Sequence, residues 1–259
     1  MRKKTGKSKI RQQKILEIIR QQGSVGVEEL SRLLEVSYET IRRDLNDLAR
    51  TAKIQKIHGG ATLPRMFGEG PFQDRMQENA EAKVQIAKAA APMFSSGTTL
   101  FIDTGSTTLY FAEALCDVPG LTVITNSSAI ARVLSASKLK NRAFMLGGEF
   151  SPNNYQTVGT MVAAQARLFQ AHHAVLTIGA LDSKAGAMVF SIEEAQVAAA
   201  MIEQSQSLTI LVDSSKFNKI ASFKVCELHQ INRLVTEKAP SGELGEALSS
   251  AGVEVIEAP

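Results

Sequence analysis

The chain has 259 residues, of which 44% are hydrophobic and 21% are charged. This length and balance fit one large domain or two smaller ones and exclude a disordered chain. No apolar run reaches the roughly 18 residues of a membrane-spanning helix, and the basic amino terminus is not followed by the apolar run of a secretory signal. Cys116 and Cys226 have no CxxC spacing, which argues against a disulfide framework or a zinc site. We therefore expect a cytoplasmic protein with no membrane contact, no cofactor and no metal ion.

Charge is distributed unevenly along the sequence. The formal net charge is only +3, but residues 1–65 hold 15 Lys and Arg against 7 Asp and Glu, and the remaining residues hold 14 against 19. A basic segment in front of a mildly acidic body suggests that the segment meets a polyanion. An ordinary solvated basic surface would give the same excess of positive charge. The charge alone therefore does not decide between such a surface and a polyanion-binding segment.

Three amphipathic helices are predicted in the basic segment, over residues 8–22, 27–34 and 38 to about 52. Ser37 is a suitable N-cap for the third helix, whose buried face would be Ile41, Leu45 and Leu48. About three residues separate the second and third helices. That spacing is typical of a helix-turn-helix, in which the second helix of the pair enters the major groove of DNA.

The outward face of the third helix carries groups that hydrogen-bond to base edges and phosphates. Arg50 also lies on this face. The alternative is a three-helix bundle with an ordinary charged face. The candidate DNA-binding residues of this region are Ser37, Tyr38, Glu39, Thr40, Arg42, Arg43 and Asn46.

Residues 53–64 form two short β-prone stretches around Gly59 and Gly60, which is typical of a wing. Lys56 and His58 would then lie beside the minor groove or the DNA backbone, where phosphate stabilises cations. For His58 an ordinary turn position is the alternative.

The run from Val36 to Leu45, followed by His58 to Ala61, closely resembles the signature of the DeoR family of bacterial transcriptional repressors. The resemblance implies that the chain binds double-stranded operator DNA. One departure is Lys56, where the family usually has arginine. A phosphate contact tolerates that change better than a bidentate base contact would.

Beyond residue 80 helical and strand patterns alternate, which predicts a mostly parallel sheet covered by helices. The strands are predicted at residues 99–102, 121–125, 143–146, 174–178 and 208–212, and the helices at 83–94, 107–115 and 193–204. The predicted fold class is therefore α/β, with a small winged helix-turn-helix domain followed by a mostly parallel α/β sensor domain. The expected boundaries are 1–64 for the DNA-binding domain, 65–79 for a linker and 80–259 for the effector-binding and oligomerisation domain.

Each predicted strand is followed at once by a polar residue or glycine, and ligands of open parallel sheets bind at the carboxyl ends of the strands. The turn from Asp103 to Thr108 is rich in hydroxyls and leads into a helix, so its backbone N–H groups and the helix dipole would hold a phosphate. Lys216, beyond another strand, would supply a cation. A capped turn without a ligand is the alternative. The candidate effector-binding residues are Asp103, Thr104, Gly105, Ser106, Thr107, Thr108, Asn126, Gly147, Gly148, Glu194 and Lys216.

The segments that contain these candidate residues occur in the same order as in the DeoR-family effector domain. That domain resembles sugar-phosphate isomerases in fold. The resemblance runs from Ser8 to Val255 and implies a phosphorylated sugar or polyol as effector. Two departures make transfer of the ligand's identity unsafe. His172-His173 replace the usual Ala-Asp before a core strand, and Ala198 stands where a basic residue often follows the Glu-Ala pair. Because no third donor lies at metal-ligand spacing, the histidines are expected at a strand edge and not on a metal.

The sequence is compatible with three functions. The first is a repressor of a carbohydrate or polyol operon, acting as a homodimer or homotetramer and controlled by a phosphorylated effector. The second is an isomerase-like enzyme with an appended DNA-binding segment, in which Asp103, Asp182 or Glu194 acts as general base. The third is a DNA-binding protein whose body only oligomerises. A complete helix-turn-helix with a wing favours the first, because a metabolic enzyme would not need it.

Overall fold

The computed structural model describes residues 4–22, 24–50, 54–57, 59–62 and 70–259. The chain divides into two compact units, Met1–Met66 and Phe67–Pro259, which we call the first unit and the second unit. Within the described ranges, no helix is both long enough and apolar enough to cross a membrane.

The first unit packs three helices against a small antiparallel sheet. Its elements are α1 (Lys4–Gln22), β1 (Ser24–Gly26), α2 (Val27–Leu34), α3 (Tyr38–Arg50), β2 (Gln55–Ile57) and β3 (Gly60–Thr62). The strand order is β1-β3-β2, so the two wing strands that the sequence predicts are joined by a third, β1, that it does not. Gly60 allows this pairing, because a Cβ there would lie 2.3 Å from the Val25 carbonyl oxygen.

The predicted core of the first unit is confirmed. Ile41, Leu45 and Leu48 of α3 are at most 3% exposed and pack with Ile15 and Ile19 of α1. Glu35 ends α2 in the left-handed conformation (φ 49°), and Ser37 accepts a hydrogen bond from the Thr40 amide at 3.4 Å. These contacts form the tight turn between α2 and α3.

The second unit contains a seven-stranded parallel sheet and two smaller antiparallel ones. Its helices are α4 (Phe72–Gln77), α5 (Ala80–Ala90), α6 (Ser106–Ala114), α7 (Ser128–Ser135), α8 (Thr160–Ala166), α9 (Ile192–Glu203) and α10 (Gly242–Ser250). Its strands are β4 (Thr99–Ile102), β5 (Thr122–Thr125), β6 (Arg142–Met145), β7 (Glu149–Ser151), β8 (Gln156–Val158), β9 (Ala171–Thr177), β10 (Ala180–Asp182), β11 (Gly186–Val189), β12 (Ser205–Leu211), β13 (Phe223–Cys226), β14 (Arg233–Thr236) and β15 (Glu254–Glu257).

The strand order of the large sheet is β15-β14-β12-β9-β4-β5-β6, and every neighbouring pair is parallel. From β4 the chain first adds strands on one side, β5 and β6, and then on the other, β9, β12, β14 and β15. The side of the sheet on which successive strands are added therefore changes between β4 and β9. A crevice at the carboxyl ends of the strands is expected at such a reversal. The smaller sheets are β10-β11-β13 and the hairpin β7-β8.

Helices cover both faces of the large sheet, as predicted. Phe101 of β4 points into a core formed with α8, α9 and α10, whereas its neighbours Leu100 and Ile102 point into a second core formed with α5, α6 and α7. Burial on both faces explains why the strands are continuous apolar runs in the sequence. Helices α7, α8 and α10 and strands β14 and β15 were not predicted.

Helix α4 lies within residues 65–79, the interval expected to be a linker. Phe72 and Arg75 of this helix are 3% and 7% exposed. The part of the interval from residue 70 onward is therefore packed into the second unit, and residues 65–69 lie outside the described residues.

Candidate functional site

In the first unit, α3 presents the predicted DNA-binding side chains to solvent. Ser37, Tyr38, Glu39, Arg42, Arg43 and Asn46 are exposed, and Thr40 is half-buried. Arg43 pairs with Glu39 at 3.8 Å, and both side chains are more than three-quarters exposed. Such a pair contributes little to stability, so the guanidinium is available for another anion.

The wing contributes a cation to the same face. The Lys56 ammonium is exposed and donates to Asn46 Oδ1 at 2.8 Å, and both residues line an open groove between α3 and the wing with Tyr38 and Arg42. The structure thus brings together a predicted residue of the wing and predicted residues of the helix. His58, which was also predicted, lies outside the described residues.

Asp44, on the inward side of α3, has a role that was not predicted. It is 2% exposed and accepts hydrogen bonds from three side chains of α1, those of Ser8 (3.0 Å), Arg11 and Gln12 (3.4 Å). These bonds fix α3 against α1 and so orient its outward face. A lone carboxylate among Ile41, Leu45 and Leu48 was the signal that could have identified it.

In the second unit two adjoining clefts lie at the reversal between β4 and β9. We call the first the carboxylate cleft; it is lined by Asp103, Thr104, Asn126, Gln156, Thr177, Ile178, Gly179, Val189, Phe190, Glu194, Val197 and Ala198. We call the second the lysine cleft; it is lined by Arg75, Glu78, Asn79, Lys83, Ser106, Thr107, Thr177, Ile178, Asp213, Ser215 and Lys216. Thr177 and Ile178 line both, so the two clefts meet at the end of β9.

The polar wall of the carboxylate cleft is a chain of hydrogen bonds between side chains. Thr104 donates to Asn126 Oδ1 at 3.2 Å, Asn126 lies 3.4 Å from Gln156 Oε1, and Gln156 donates to Glu194 Oε1 at 3.0 Å. Both oxygens of Asp103 accept from the Thr177 amide at 3.1 Å, which ties the ends of β4 and β9 together. The polar side chains of the wall are therefore held by hydrogen bonds to one another and to the backbone.

The lysine cleft combines three cations with the amino-terminal end of α6. Lys83 is 4% exposed and donates to the carbonyl oxygens of Arg75 and Glu78, the latter at 2.6 Å. Burial lowers the pKa of Lys83 from its ordinary value, an effect that Asp213 opposes and Lys216 reinforces. The unpaired N–H groups of the first turn of a helix attract anions, and Ser106 and Thr107 of α6 line this cleft.

The structure separates the predicted effector-binding residues into four groups. Asp103, Thr104, Asn126 and Glu194 line the carboxylate cleft, and Ser106, Thr107 and Lys216 line the lysine cleft. Gly105 and Thr108 line neither cleft and instead shape the turn beside the clefts. Gly105 is the N-cap of α6, and the buried Thr108 hydroxyl donates to the Asp103 and Gly105 carbonyl oxygens.

Gly147 and Gly148, which were also predicted to bind the effector, line neither cleft. They follow β6, the outermost strand, which β5 separates from β4. The Gly147 amide donates to Gln165 Oε1 at 2.9 Å, and a Cβ on Gly148 would lie 2.6 Å from Val162. These glycines pack α8 and the hairpin β7-β8 against the sheet edge.

Arg75, Lys83 and Gln156 are among the residues that line the clefts without having been predicted there. Arg75 lies in the interval expected to be a linker, and Lys83 looked like an ordinary first-turn residue of a helix. Both histidines lie near the start of β9: His172 is exposed, whereas His173 is half-buried and its Nδ1 is buried. Burial lowers the pKa of His173.

Groups of three or more His, Cys, Asp or Glu side chains able to hold a metal ion do not occur in the described ranges.

Two family models match the chain. The model of the DeoR-like helix-turn-helix domain matches residues 11–66, and that of the DeoR C terminal sensor domain matches residues 78–238. Among solved structures, a ribose 5-phosphate isomerase A from Methanocaldococcus jannaschii has a TM-score of 0.39 at 14% identity and covers 54% of this chain and 55% of its own. The tetrameric eIF2B-beta2-delta2 complex from C. thermophilum has a TM-score of 0.47 at 14% identity, with 94% and 88% covered.

Relatives with assigned roles match over nearly the whole length. The glycerol-3-phosphate regulon repressor of Escherichia coli is 32% identical over 93% of this chain and 95% of its own length. The HTH-type transcriptional regulator GolR of Listeria innocua is 30% identical over 95% and 96%. Because both domain models match in order and these relatives span both units, the chain belongs to the DeoR family and is a DNA-binding regulator of transcription.

Proposed function

We propose that the chain is a repressor of an operon for carbohydrate or polyol use and that a phosphorylated sugar or polyol is its effector. The observation that carries the proposal is the junction of the two clefts at Thr177 and Ile178. One cleft offers cations and helix N–H groups, and the other offers a hydrogen-bonding wall. A ligand with a phosphate at one end and hydroxyls at the other would match both.

In this proposal the phosphate lies in the lysine cleft. The amide groups at the start of α6, from Gly105 to Thr108, and the ammonium of Lys216 would neutralise its charge. Lys83 and Arg75 add further positive charge. Among the described lining residues, these two cations and Lys216 exceed the two anions, Glu78 and Asp213, by one unit of charge. The hydroxylated end would lie against Asp103, Thr104, Asn126 and Glu194. The name of the Escherichia coli relative, a glycerol-3-phosphate regulon repressor, supports a ligand of this type.

The same proposal assigns operator DNA to the face of α3 and the wing. The contacts would come from Ser37, Tyr38, Glu39, Thr40, Arg42, Arg43, Asn46, Lys56 and His58. A single unit of about 60 residues covers too little DNA for tight specific binding, so we propose a homodimer or homotetramer that acts on a palindromic site in the cytoplasm. Sedimentation of the free chain and of its DNA complex measures this assembly directly, and monomers in both would contradict it.

We propose no catalytic role for the clefts. Asp182, one of the candidate bases, lines neither cleft and caps a turn through the amides of Lys184 and Ala185, both at 2.9 Å. The backbone hydrogen bond from Ala185 is the main cause that lowers its pKa, which makes it a weaker base. Turnover of a bound sugar phosphate would support the enzyme instead.

The test is titration calorimetry of the full chain with a panel of sugar and polyol phosphates, with and without operator DNA. Lys216→Ala removes one charged hydrogen-bond donor, which contributes about 1.5–3 kcal/mol, so we expect at least tenfold weaker effector binding with unchanged operator affinity. Lys219→Ala is the matched control, because Lys219 is exposed three residues further on and lines neither cleft. Equal effector affinity in wild type and Lys216→Ala would exclude Lys216 from the site. Absence of any hit would favour a body that only oligomerises.

A further inference from the structure

Residues 70–79, which we call the strap, form one wall of the lysine cleft. The strap contains α4, the first described helix of the second unit, and its residues Arg75, Glu78 and Asn79 line the cleft. The other lining residues come from α5, the start of α6 and the ends of β9 and β12. A ligand that fills the cleft therefore contacts the strap and the edge of the sheet together.

The end of α4 is capped by side chains of other helices. The last carbonyl groups of a helix lack partners within it. Here Lys83 of α5 donates to the carbonyl oxygens of Arg75 and Glu78, the latter at 2.6 Å, and the Tyr110 hydroxyl of α6 donates to that of Met76 at 3.0 Å. Because α4 has only six residues, too few for a stable helix in water, it depends on these contacts.

The side chains of α4 hold the strap to the hairpin β7-β8. Phe72 is 3% exposed and packs edge-on against Tyr155, with the ring centroids 5.8 Å apart. Arg75 donates to Asn154 Oδ1 at 3.0 Å, and both Asn154 and Tyr155 lie in the turn of the hairpin. A short segment held only by contacts to other elements can detach locally while the sheet stays folded.

Lys83 connects the occupancy of the cleft to the docking of the strap. Its ammonium lines the cleft and also donates to the strap carbonyls. Burial lowers the pKa of Lys83, because it disfavours the charged form. An anion in the same cleft favours the charged form, which makes the stronger hydrogen bonds to the strap. The same anion would therefore strengthen the bonds that hold the strap in place.

We propose, resting on the function proposed above, that the strap is the element through which the effector acts on DNA binding. The effector binds the docked strap more tightly than the detached strap and so stabilises the docked form. A detached strap adds about ten residues, roughly 33 Å when extended, to the tether between the two units. In a dimer on a palindromic site, the length of this tether sets how readily the second DNA-binding domain meets its half-site.

The experiment is hydrogen exchange of the full chain, followed by mass spectrometry, with peptides that cover α4. The probes are inorganic phosphate and glycerol 3-phosphate, whose binding is first measured by calorimetry. At ten times its Kd, a probe that binds only the docked form should slow exchange of the α4 amides about tenfold. Peptides from α10, which lines neither cleft, are the internal control and should not change.

Operator DNA without any probe should also change the exchange of the α4 amides, by at least threefold. This follows because two ligands coupled through one element must each shift its equilibrium. The duplex is selected from a random library by the wild type. Exchange should slow if the effector strengthens DNA binding, and it should become faster if the effector releases the DNA.

Tyr110→Phe tests the strap without altering a residue that lines either cleft. It removes the hydrogen bond to Met76, so the α4 amides should exchange about threefold faster in the free chain. Operator affinity should change in the direction opposite to the effect of the probe. Ser205→Ala is the matched control, because the Ser205 hydroxyl also donates to a backbone carbonyl near a helix end, that of Met201 at 2.8 Å. It should change neither quantity.

The outcomes separate the two proposals. A probe that binds without slowing exchange of α4 overturns the role of the strap and leaves the phosphorylated effector in place. Slowing by the probe with no response to operator DNA makes the strap part of the pocket only, and also overturns its role in coupling. Binding of neither probe at high millimolar concentration overturns the anion site in the lysine cleft, and the role of the strap with it.

Discussion

The two units present their candidate functional side chains in opposite ways. In the first unit Tyr38, Arg42 and Arg43 are exposed, and the observed ion pair of Arg43 is a weak surface contact. In the second unit Lys83 and Asn126 are at most 4% exposed and are held by several hydrogen bonds each. Exposed donors on a folded helix suit a large polyanion, whereas a buried, hydrogen-bonded wall suits a small ligand.

This difference determines what a substitution does. On an exposed face, loss of a side chain removes a contact to the partner and leaves the fold unchanged. In a packed cleft the same kind of change alters the fold and the site together. The predictions below test this contrast, from the largest expected effect to the smallest.

Gly105→Ala should have the largest effect, about 3 kcal/mol of stability lost by the second unit, at the upper end for overpacking a core. A Cβ at this position would lie 2.1 Å from Thr177 Cγ2 and 3.0 Å from Thr108 Oγ1. The backbone of Gly105 is extended (φ −170°), so the cause is steric. Thermal unfolding of the full chain measures the loss, and effector binding should disappear with it because the start of α6 is displaced.

Thr177→Ser provides the control for that prediction. It removes Cγ2, the atom nearest to the added methyl group, so the double variant Gly105→Ala with Thr177→Ser should regain part of the lost stability. Gly105→Ala with the stability of wild type would mean that β4 and β9 are less tightly joined than the bonds between Asp103 and Thr177 imply.

Arg42→Ala and Arg43→Ala should each weaken operator binding by about 1–3 kcal/mol while leaving the unfolding temperature unchanged. A residue that contacts phosphate should also lower the salt dependence of binding by about one unit of slope. Gel-shift titrations at several salt concentrations, with a duplex selected from a random library by the wild type, measure both quantities. Arg132→Ala, an exposed arginine of α7 in the second unit, is the control. If neither α3 variant loses affinity, another element reads the DNA.

The same contrast explains how much could be predicted from the sequence. The exposed face of α3 was predicted because its residues lie on one helix, where spacing along the chain gives position in space. The strand ends were predicted to share an edge, and Asp103 and Asn126 do line one cleft. Which ends are neighbours depends on strand order, and for this reason Gly147 and Gly148, which were predicted at the same edge, line neither cleft.

Arg75 could not be predicted because its position depends on tertiary contacts. Helix α4 has six residues, too few for a clear periodic pattern, and the preceding Pro and Gly residues are typical of a linker. Its guanidinium reaches Asn154, 79 positions further along the chain. No local pattern in the sequence reports a contact over that separation.

Thr107→Val should have the smallest effect, about 1 kcal/mol or roughly fivefold in effector affinity, because it removes one hydroxyl from a site where N–H groups and cations remain. Thr107 is 3% exposed and lines the lysine cleft, so its hydroxyl should serve the phosphate and not the polyol. Thr104→Val is the matched change in the carboxylate cleft, since the Thr104 hydroxyl bonds to Asn126. Inorganic phosphate as a calorimetric probe separates the two: its affinity should fall in Thr107→Val and stay constant in Thr104→Val, whereas a polyol phosphate should weaken in both. Equal losses of inorganic phosphate affinity in the two variants would mean that the clefts act as one site without separate roles for their ends.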